Sequence, residues 1–112
     1  MKKILVADDS GTIRRLFQIV FRKMGKEVDF AEDGESCLIK IKEIEPDILF
    51  LDANMPGKSG WEILDYVKKE YPDMYVILMT ADEKGDSPQR PNMFLKKPFS
   101  IDDVIDVIKS IS

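Results

Sequence analysis

Short continuous apolar runs alternate along the chain with segments whose apolar residues recur every three or four positions. Ile4-Leu5-Val6-Ala7, Ile48-Leu49-Phe50-Leu51 and Tyr75-Val76-Ile77-Leu78-Met79 are the continuous runs. Each predicts a strand buried on both faces. Glu27 to Ala31 alternates polar and apolar residues, the pattern of a half-exposed edge strand, and Met93-Phe94-Leu95 predicts a short fifth strand. Ile13, Leu16, Phe17, Val20, Phe21 and Met24 line one face of a first helix, with Gly25 placed to end it. A second helix opens at Asp33-Gly34, carries Cys37, Leu38, Ile41 and Ile44, and stops at Pro46. Ser59 and Glu62 are spaced as a capping box for a third helix bearing Trp61, Leu64 and Val67, which Tyr71-Pro72 ends. Ser100-Ile101-Asp102-Asp103 opens the last helix in the same way, and Val104, Ile105, Ile108 and Ile111 form its apolar face. From Ala81 to Asn92 the periodicity fades around Gly85, Pro88 and Pro91, so this segment reads as mostly loop.

Strands alternating with helices predict an α/β fold built from parallel βαβ units. The expected architecture is a doubly wound five-stranded parallel sheet, order 2-1-3-4-5, with helices on both faces. The three continuous strands take its centre and the alternating strand takes an edge. The fourth helix, between strands 4 and 5, is expected to be short or absent. Residues 1–112 are expected to form a single domain, with no repeats or linkers.

Composition narrows the function without changing this picture. The chain is 44% hydrophobic and 34% charged, with a net charge of −4, which argues against direct binding of nucleic acid. No apolar run is long enough to span a membrane. Met1-Lys2-Lys3 precedes only four apolar residues before two acids, so it does not read as a signal peptide. Cys37 is the one cysteine and is expected in the core. An intracellular, cytoplasmic location is therefore expected. With no histidine present, any chemistry falls to carboxylates, Lys, Ser, Thr or a metal ion.

In an open parallel sheet, sites form at the carboxyl ends of the strands, where strand order reverses. Asp8 and Asp9 end the first strand, Asp52 the third and Thr80 the fourth, and Lys97 follows the fifth. Three neighbouring carboxylates repel one another, and a divalent cation relieves the conflict. Ligands that are all oxygen suit Mg²⁺. A free oxygen of Asp52 can then act as a nucleophile toward a phosphoryl group, with Lys97 and Thr80 offsetting charge on its oxygens. Trp61, at the start of the third helix, reads as core or rim packing.

These residues resemble the response-regulator receiver domain. The matching motifs are Asp8-Asp9, Asp52 with Met55-Pro56 and Gly60, Thr80-Ala81, and Lys97-Pro98-Phe99, each at a strand end, and the match spans Lys2 to Ile111. The size is close to the single-domain chemotaxis type, whose known strand order is itself 2-1-3-4-5, so that order is not an independent derivation. The resemblance implies that Asp52 accepts a phosphoryl group from a sensor histidine kinase. It implies Mg²⁺ held by Asp9, Asp52 and the main-chain carbonyl of Asn54, with Asp8 acting through water. Lys97 would pair with the phosphoryl group, and Thr80 would move to hydrogen-bond it. Phe94 holds the switch aromatic position, and Asn54 and Asp82 sit where self-dephosphorylation is tuned. The resemblance further implies a two-component signalling protein rather than an enzyme, acting on an output protein that the sequence does not identify. The alternative is a phosphorelay intermediate that passes the phosphoryl group to a histidine phosphotransfer protein. A hydrolase using the same nucleophile would need a cap or further domain, for which 112 residues leave no room.

The chain departs from the family between Thr80 and Phe94, where only 13 residues lie and Pro88-Gln89-Arg90-Pro91 replaces the usual run of small residues. The helix expected to be short or absent is part of the face most receivers use for output.

Overall fold

A computed structural model of the chain describes residues 2–85 and 88–111. Its elements follow the predicted order: β1 (Ile4–Ala7), α1 (Gly11–Lys23), β2 (Asp29–Ala31), α2 (Gly34–Ile44), β3 (Ile48–Asp52), α3 (Gly60–Glu70), β4 (Tyr75–Thr80), β5 (Met93–Lys96) and α4 (Ile101–Ile111). The sheet is parallel throughout, in the order β2-β1-β3-β4-β5.

The continuous apolar runs are explained by helices on both sides. Along β1, β3 and β4, alternate residues point to opposite faces. Leu5, Ala7, Leu49, Leu51, Val76 and Leu78 pack against Cys37 and Ile41 of α2 and against Ile63, Leu64 and Val67 of α3. Ile4, Val6, Ile48, Phe50, Ile77 and Met79 pack against Phe17, Val20 and Phe21 of α1 and Val104 and Ile108 of α4. Phe17 is the hub of an aromatic group on this second face, with ring centroids 4.9 Å from Phe50 and 6.0 Å from Phe21 and Phe99.

The helix ends are fixed locally. The Ser10 side chain, not Asp8 or Asp9, caps α1 by accepting from the Ile13 N–H. Asp33 and Ser36 form a capping box on α2, and Ser59 and Glu62 form one on α3. Ser100 and Asp103 exchange the same pair of bonds at the start of α4, at 3.1 and 2.9 Å. Gly25, at φ +67°, follows α1 in a left-handed conformation that glycine adopts without steric cost.

Four strand boundaries differ from expectation, one of them in β5, which runs to Lys96 rather than Leu95. β2 starts at Asp29 rather than Glu27, because only Asp29–Ala31 pairs with Leu5–Ala7. Both β3 and β4 extend one residue further, so that Asp52 and Thr80 are themselves strand residues. Between β4 and β5 the described residues contain no helix, as the weak periodicity predicted; residues 86 and 87 of that segment lie outside the described residues. Trp61 fills part of that side of the sheet, half-buried against Phe94 at a centroid distance of 6.2 Å.

Candidate active site

Four elements deliver charge to one end of the sheet. β1 pairs with β3 up to Ala7 opposite Leu51, so the residues that follow, Asp8 and Asp52, stand side by side. Asp52 lies opposite Met79 on β4, and Thr80 lies opposite Lys96 on β5, which places Lys97 one step further on. The ladders continue past the strands: the Asp8 N–H donates to the Ala31 carbonyl, Ala53 to Met79, and Lys97 to Thr80, each at 3.0 Å. The site residues are thus set on hydrogen-bonded backbone rather than on free loops.

Asp8, Asp52 and Thr80 are the buried polar residues among those described, while Asp9 is exposed. Asp8, Asp9 and Asp52 each offer a carboxylate oxygen, and these atoms lie within 4.8 Å of one another. Lys97 Nζ donates to Asp52 Oδ1 at 3.0 Å and to Asp8 Oδ2 at 3.4 Å. The Asn54 N–H donates to Asp52 Oδ1 at 3.1 Å, and the Ser10 N–H to Asp8 Oδ1 at 2.8 Å. Both donors to Asp52 use Oδ1.

Burial pushes the Asp52 carboxyl up to about 6, against the Asn54 N–H and Lys97, which pull it down; the nearby Asp8 charge adds to the rise. Desolvation pulls the Lys97 ammonium down, but its bonds and attraction to Asp52 and Asp8 outweigh this and hold it above its ordinary value. One lysine facing two buried carboxylates and a third exposed one leaves the cluster negative. The donors are all hard oxygens, with no sulfur or imidazole among them. This donor set fits Mg²⁺, and a cation there would relieve the repulsion that the cluster retains.

Two glycines permit the close approach. A Cβ at Gly60 would overlap the Asp52 carbonyl oxygen and crowd the Ala53 Cα, so α3 can begin hard against the end of β3 only with glycine there. The Gly60 N–H meets the Ala53 carbonyl at 2.9 Å. Gly57, at φ +79°, makes the turn between them. The Lys97-Pro98 peptide is cis.

The other predicted residues fall nearby with different orientations. Thr80 Oγ1 donates to the Asp82 carbonyl at 2.9 Å and accepts the Asp82 N–H at 3.1 Å, so its hydroxyl is engaged by its own loop rather than by Asp52. Asp82 is exposed, and its carboxylate accepts the Lys84 N–H at 2.9 Å. Asn54 is exposed beside Asp52. Phe94 is half-buried, with its ring against Trp61 on the α2–α3 side of the sheet.

Arg14 is a residue that sequence reasoning did not place at the site. Its Nη1 donates to the Asp8 carbonyl at 2.8 Å, and its Nη2 lies 3.8 Å from Glu32 Oε2. The signal for it is a basic residue on α1 about one turn beyond the acidic pair, within reach of the preceding loop.

Comparison with known proteins agrees with this geometry. Residues 4–109 match the response regulator receiver domain family. TrrA from Thermotoga maritima, solved in complex with Mg²⁺ and beryllofluoride, is 34% identical over the whole of both chains, with a TM-score of 0.86. The chemotaxis response regulator CheY4 of Vibrio cholerae is 26% identical, covering 100% of this chain and 99% of its own, with a TM-score of 0.88. The receiver domain of NtrX from Brucella abortus is 30% identical over 96% of this chain and 95% of its own, with a TM-score of 0.81.

The chain belongs to the response regulator receiver domain family. It is therefore a module of two-component signalling whose chemistry is its own phosphorylation, and not an enzyme acting on an external substrate. None of its described helices is long and apolar enough to cross a membrane.

Proposed function

We propose that residues 1–112 form one phosphorylatable switch, in which Asp52 accepts a phosphoryl group from the phosphohistidine of a sensor histidine kinase in the cytoplasm. The observation that carries this reading is the convergence of three carboxylates within 4.8 Å around one lysine at the carboxyl end of a parallel sheet.

Asp52 Oδ1 is held by Lys97 and the Asn54 N–H, and Oδ2 is the oxygen left to attack phosphorus. The new P–O bond forms as the P–N bond to the donor imidazole breaks, and the electron pair leaves with that nitrogen. Asp9, Asp52 and the Asn54 carbonyl would hold Mg²⁺, with Asp8 acting through water, and the ion would supply positive charge against the phosphoryl oxygens. Lys97 gives up its bond to Asp52 Oδ1 for a phosphoryl oxygen and stays paired with Asp8. The Thr80 hydroxyl exchanges its Asp82 backbone partners for another phosphoryl oxygen. Because those partners lie in the segment leading to β5, the exchange moves that segment, and Phe94 follows it as the switch aromatic. Asn54 and Asp82, exposed on either side, govern access of the water that hydrolyses the aspartyl phosphate.

The test is an NMR comparison of the protein alone, with Mg²⁺, and with Mg²⁺ and beryllofluoride, a stand-in for the phosphoryl group. The switch reading expects shifts at Thr80 and Phe94 and along the segment between them. Shifts confined to Asp8, Asp9, Asp52 and Lys97 would leave the site standing and remove the switch, and no binding at all would reduce the protein to a docking module.

A second reading is favoured by the absence of a helix among the described residues between β4 and β5, which takes away part of the usual output face. A phosphorelay carrier needs only the site end of the molecule. Transfer of label from the phosphorylated protein to a histidine phosphotransfer protein would select it.

A further inference from the structure

The acidic pair comes from the turn between β1 and α1, and the two acids are secured very differently. Asp8 is tied on every side: its N–H to Ala31, its Oδ1 to the Ser10 N–H and its Oδ2 to Lys97. Asp9 is exposed, and its carboxylate takes no hydrogen bond or ion pair among the described residues. What fixes Asp9 is its backbone. The Asp8 carbonyl and the Asp9 N–H belong to a single planar peptide, so a group that holds the carbonyl oxygen also sets the direction in which Asp9 leaves the strand.

Arg14 is that group. Its Nη1 reaches back from α1 to the Asp8 carbonyl at 2.8 Å, a direct bond from a charged donor. Its own N–H is bonded to the Ser10 carbonyl at 3.0 Å, so the arginine closes a ring from the helix to the turn that precedes it. Glu32 Oε2, 3.8 Å from Nη2, faces the guanidinium from the turn after β2. That ion pair is largely solvent-exposed on the Glu32 side and too long for a hydrogen bond, so it adds little to stability or to the placing of the guanidinium. A guanidinium suits the task of holding the Asp8 carbonyl because its planar fork presents donors in fixed directions; a lysine offers a single point of charge.

We infer that Arg14 is a positioning residue of the cation site: it orients the Asp8–Asp9 peptide so that the Asp9 carboxylate meets those of Asp8 and Asp52. The inference rests on the Mg²⁺-dependent reading above. It also opposes a simpler electrostatic expectation, because a cation near three carboxylates ought to compete with Mg²⁺, and its removal ought to tighten metal binding.

The two are separated by calorimetric titration of the intact protein with MgCl₂, comparing wild type, Arg14→Ala, Arg14→Lys and Glu32→Gln. Groups that orient metal ligands typically govern about 10- to 100-fold in affinity. The expected result is a dissociation constant for Mg²⁺ raised about 10-fold in Arg14→Ala, partly recovered in Arg14→Lys, and little changed in Glu32→Gln. In phosphorylation by acetyl phosphate, the Arg14→Ala deficit should appear as a higher half-saturating Mg²⁺ concentration and be largely recovered at saturating Mg²⁺. Circular dichroism spectra and melting curves of each variant identify any that has failed to fold, in which case Arg14→Lys carries the comparison with an expected 2- to 5-fold loss. Unchanged or tighter Mg²⁺ binding in folded Arg14 variants overturns the inference and leaves the site reading intact. Absence of Mg²⁺ binding by wild type overturns both.

Discussion

Replacing Asp52 with asparagine is expected to stabilise the metal-free protein at neutral pH. Asp52 is 1% exposed, and its carboxyl is pushed from 3.8 to about 6, chiefly by burial. Ionising it in the fold is therefore costlier than in the unfolded chain by about 3 kcal/mol, at about 1.4 kcal/mol per pH unit. That figure already includes the attraction of Lys97, so nothing further is subtracted for the lost ion pair. The amide is an imperfect copy of the neutral acid, and the expected gain is about 2 kcal/mol. A raised carboxyl pKa stabilises wild type at low pH: the benefit is complete below about 4 and is lost as pH rises through about 6. The advantage of Asp52→Asn is accordingly absent near pH 4, grows between pH 4 and 6, and is constant above. Urea denaturation of both proteins in EDTA at pH 4, 6 and 7.5 measures it, and at pH 7.5 it corresponds to a rise of roughly 8 °C in Tm. Destabilisation at pH 7.5, or the same difference at pH 4 and 7.5, would refute burial as the dominant influence on Asp52. Adding Mg²⁺ is expected to reverse the ranking, because Asp52 is one of the ligands of the proposed cation site.

Removing the lysine does the opposite. Lys97→Met leaves two buried carboxylates without their ammonium, is expected to cost about 3 kcal/mol at pH 7.5 in EDTA, and raises the Asp52 titration further, as followed by carboxyl-carbon NMR. Gly60→Ala forces a Cβ onto Asp52 and Ala53 backbone that cannot swing aside, so a loss of about 3 kcal/mol is expected by urea denaturation. A loss under about 1 kcal/mol would mean that α3 is not held against β3 as described. Cys37 is buried and its thiol is pushed up to about 12, mainly by desolvation, so it should resist alkylation at pH 8 until the protein unfolds. Rapid labelling under native conditions would contradict its place on the buried face of α2.

The fold was legible because both helix layers leave the same mark on the sequence. Two covered faces make β1, β3 and β4 continuous apolar runs, while β2, at the edge of the sheet, keeps Asp29 exposed beside half-buried Phe30 and buried Ala31. The acidic cluster was legible for a related reason: a charged residue at the end of a buried strand has few ways to be accommodated except at a site. Orientation was not legible. Nothing in Thr80-Ala81-Asp82 announces that the threonine hydroxyl is engaged by the Asp82 backbone, since the bond depends on the turn the chain makes there. Arg14 looks like any solvated residue on the polar side of α1, and only its bond to the Asp8 carbonyl distinguishes it. The segment after β4 was recognised as lacking helical periodicity, yet its packing was hidden. A Cβ at Gly85 would strike the Trp61 ring, and the Arg90 guanidinium lies 6.0 Å from that ring's centroid, contacts made between residues far apart in sequence.

The central claim is that Asp52 is the nucleophile of a Mg²⁺-dependent phosphoryl acceptor. Incubating the protein with acetyl phosphate and Mg²⁺, and weighing it intact, tests this directly. The account predicts a gain of one phosphoryl group that is labile to base, needs Mg²⁺, and disappears in Asp52→Asn. A phosphoryl group that persists in that variant, or none in wild type with Mg²⁺ present, contradicts it.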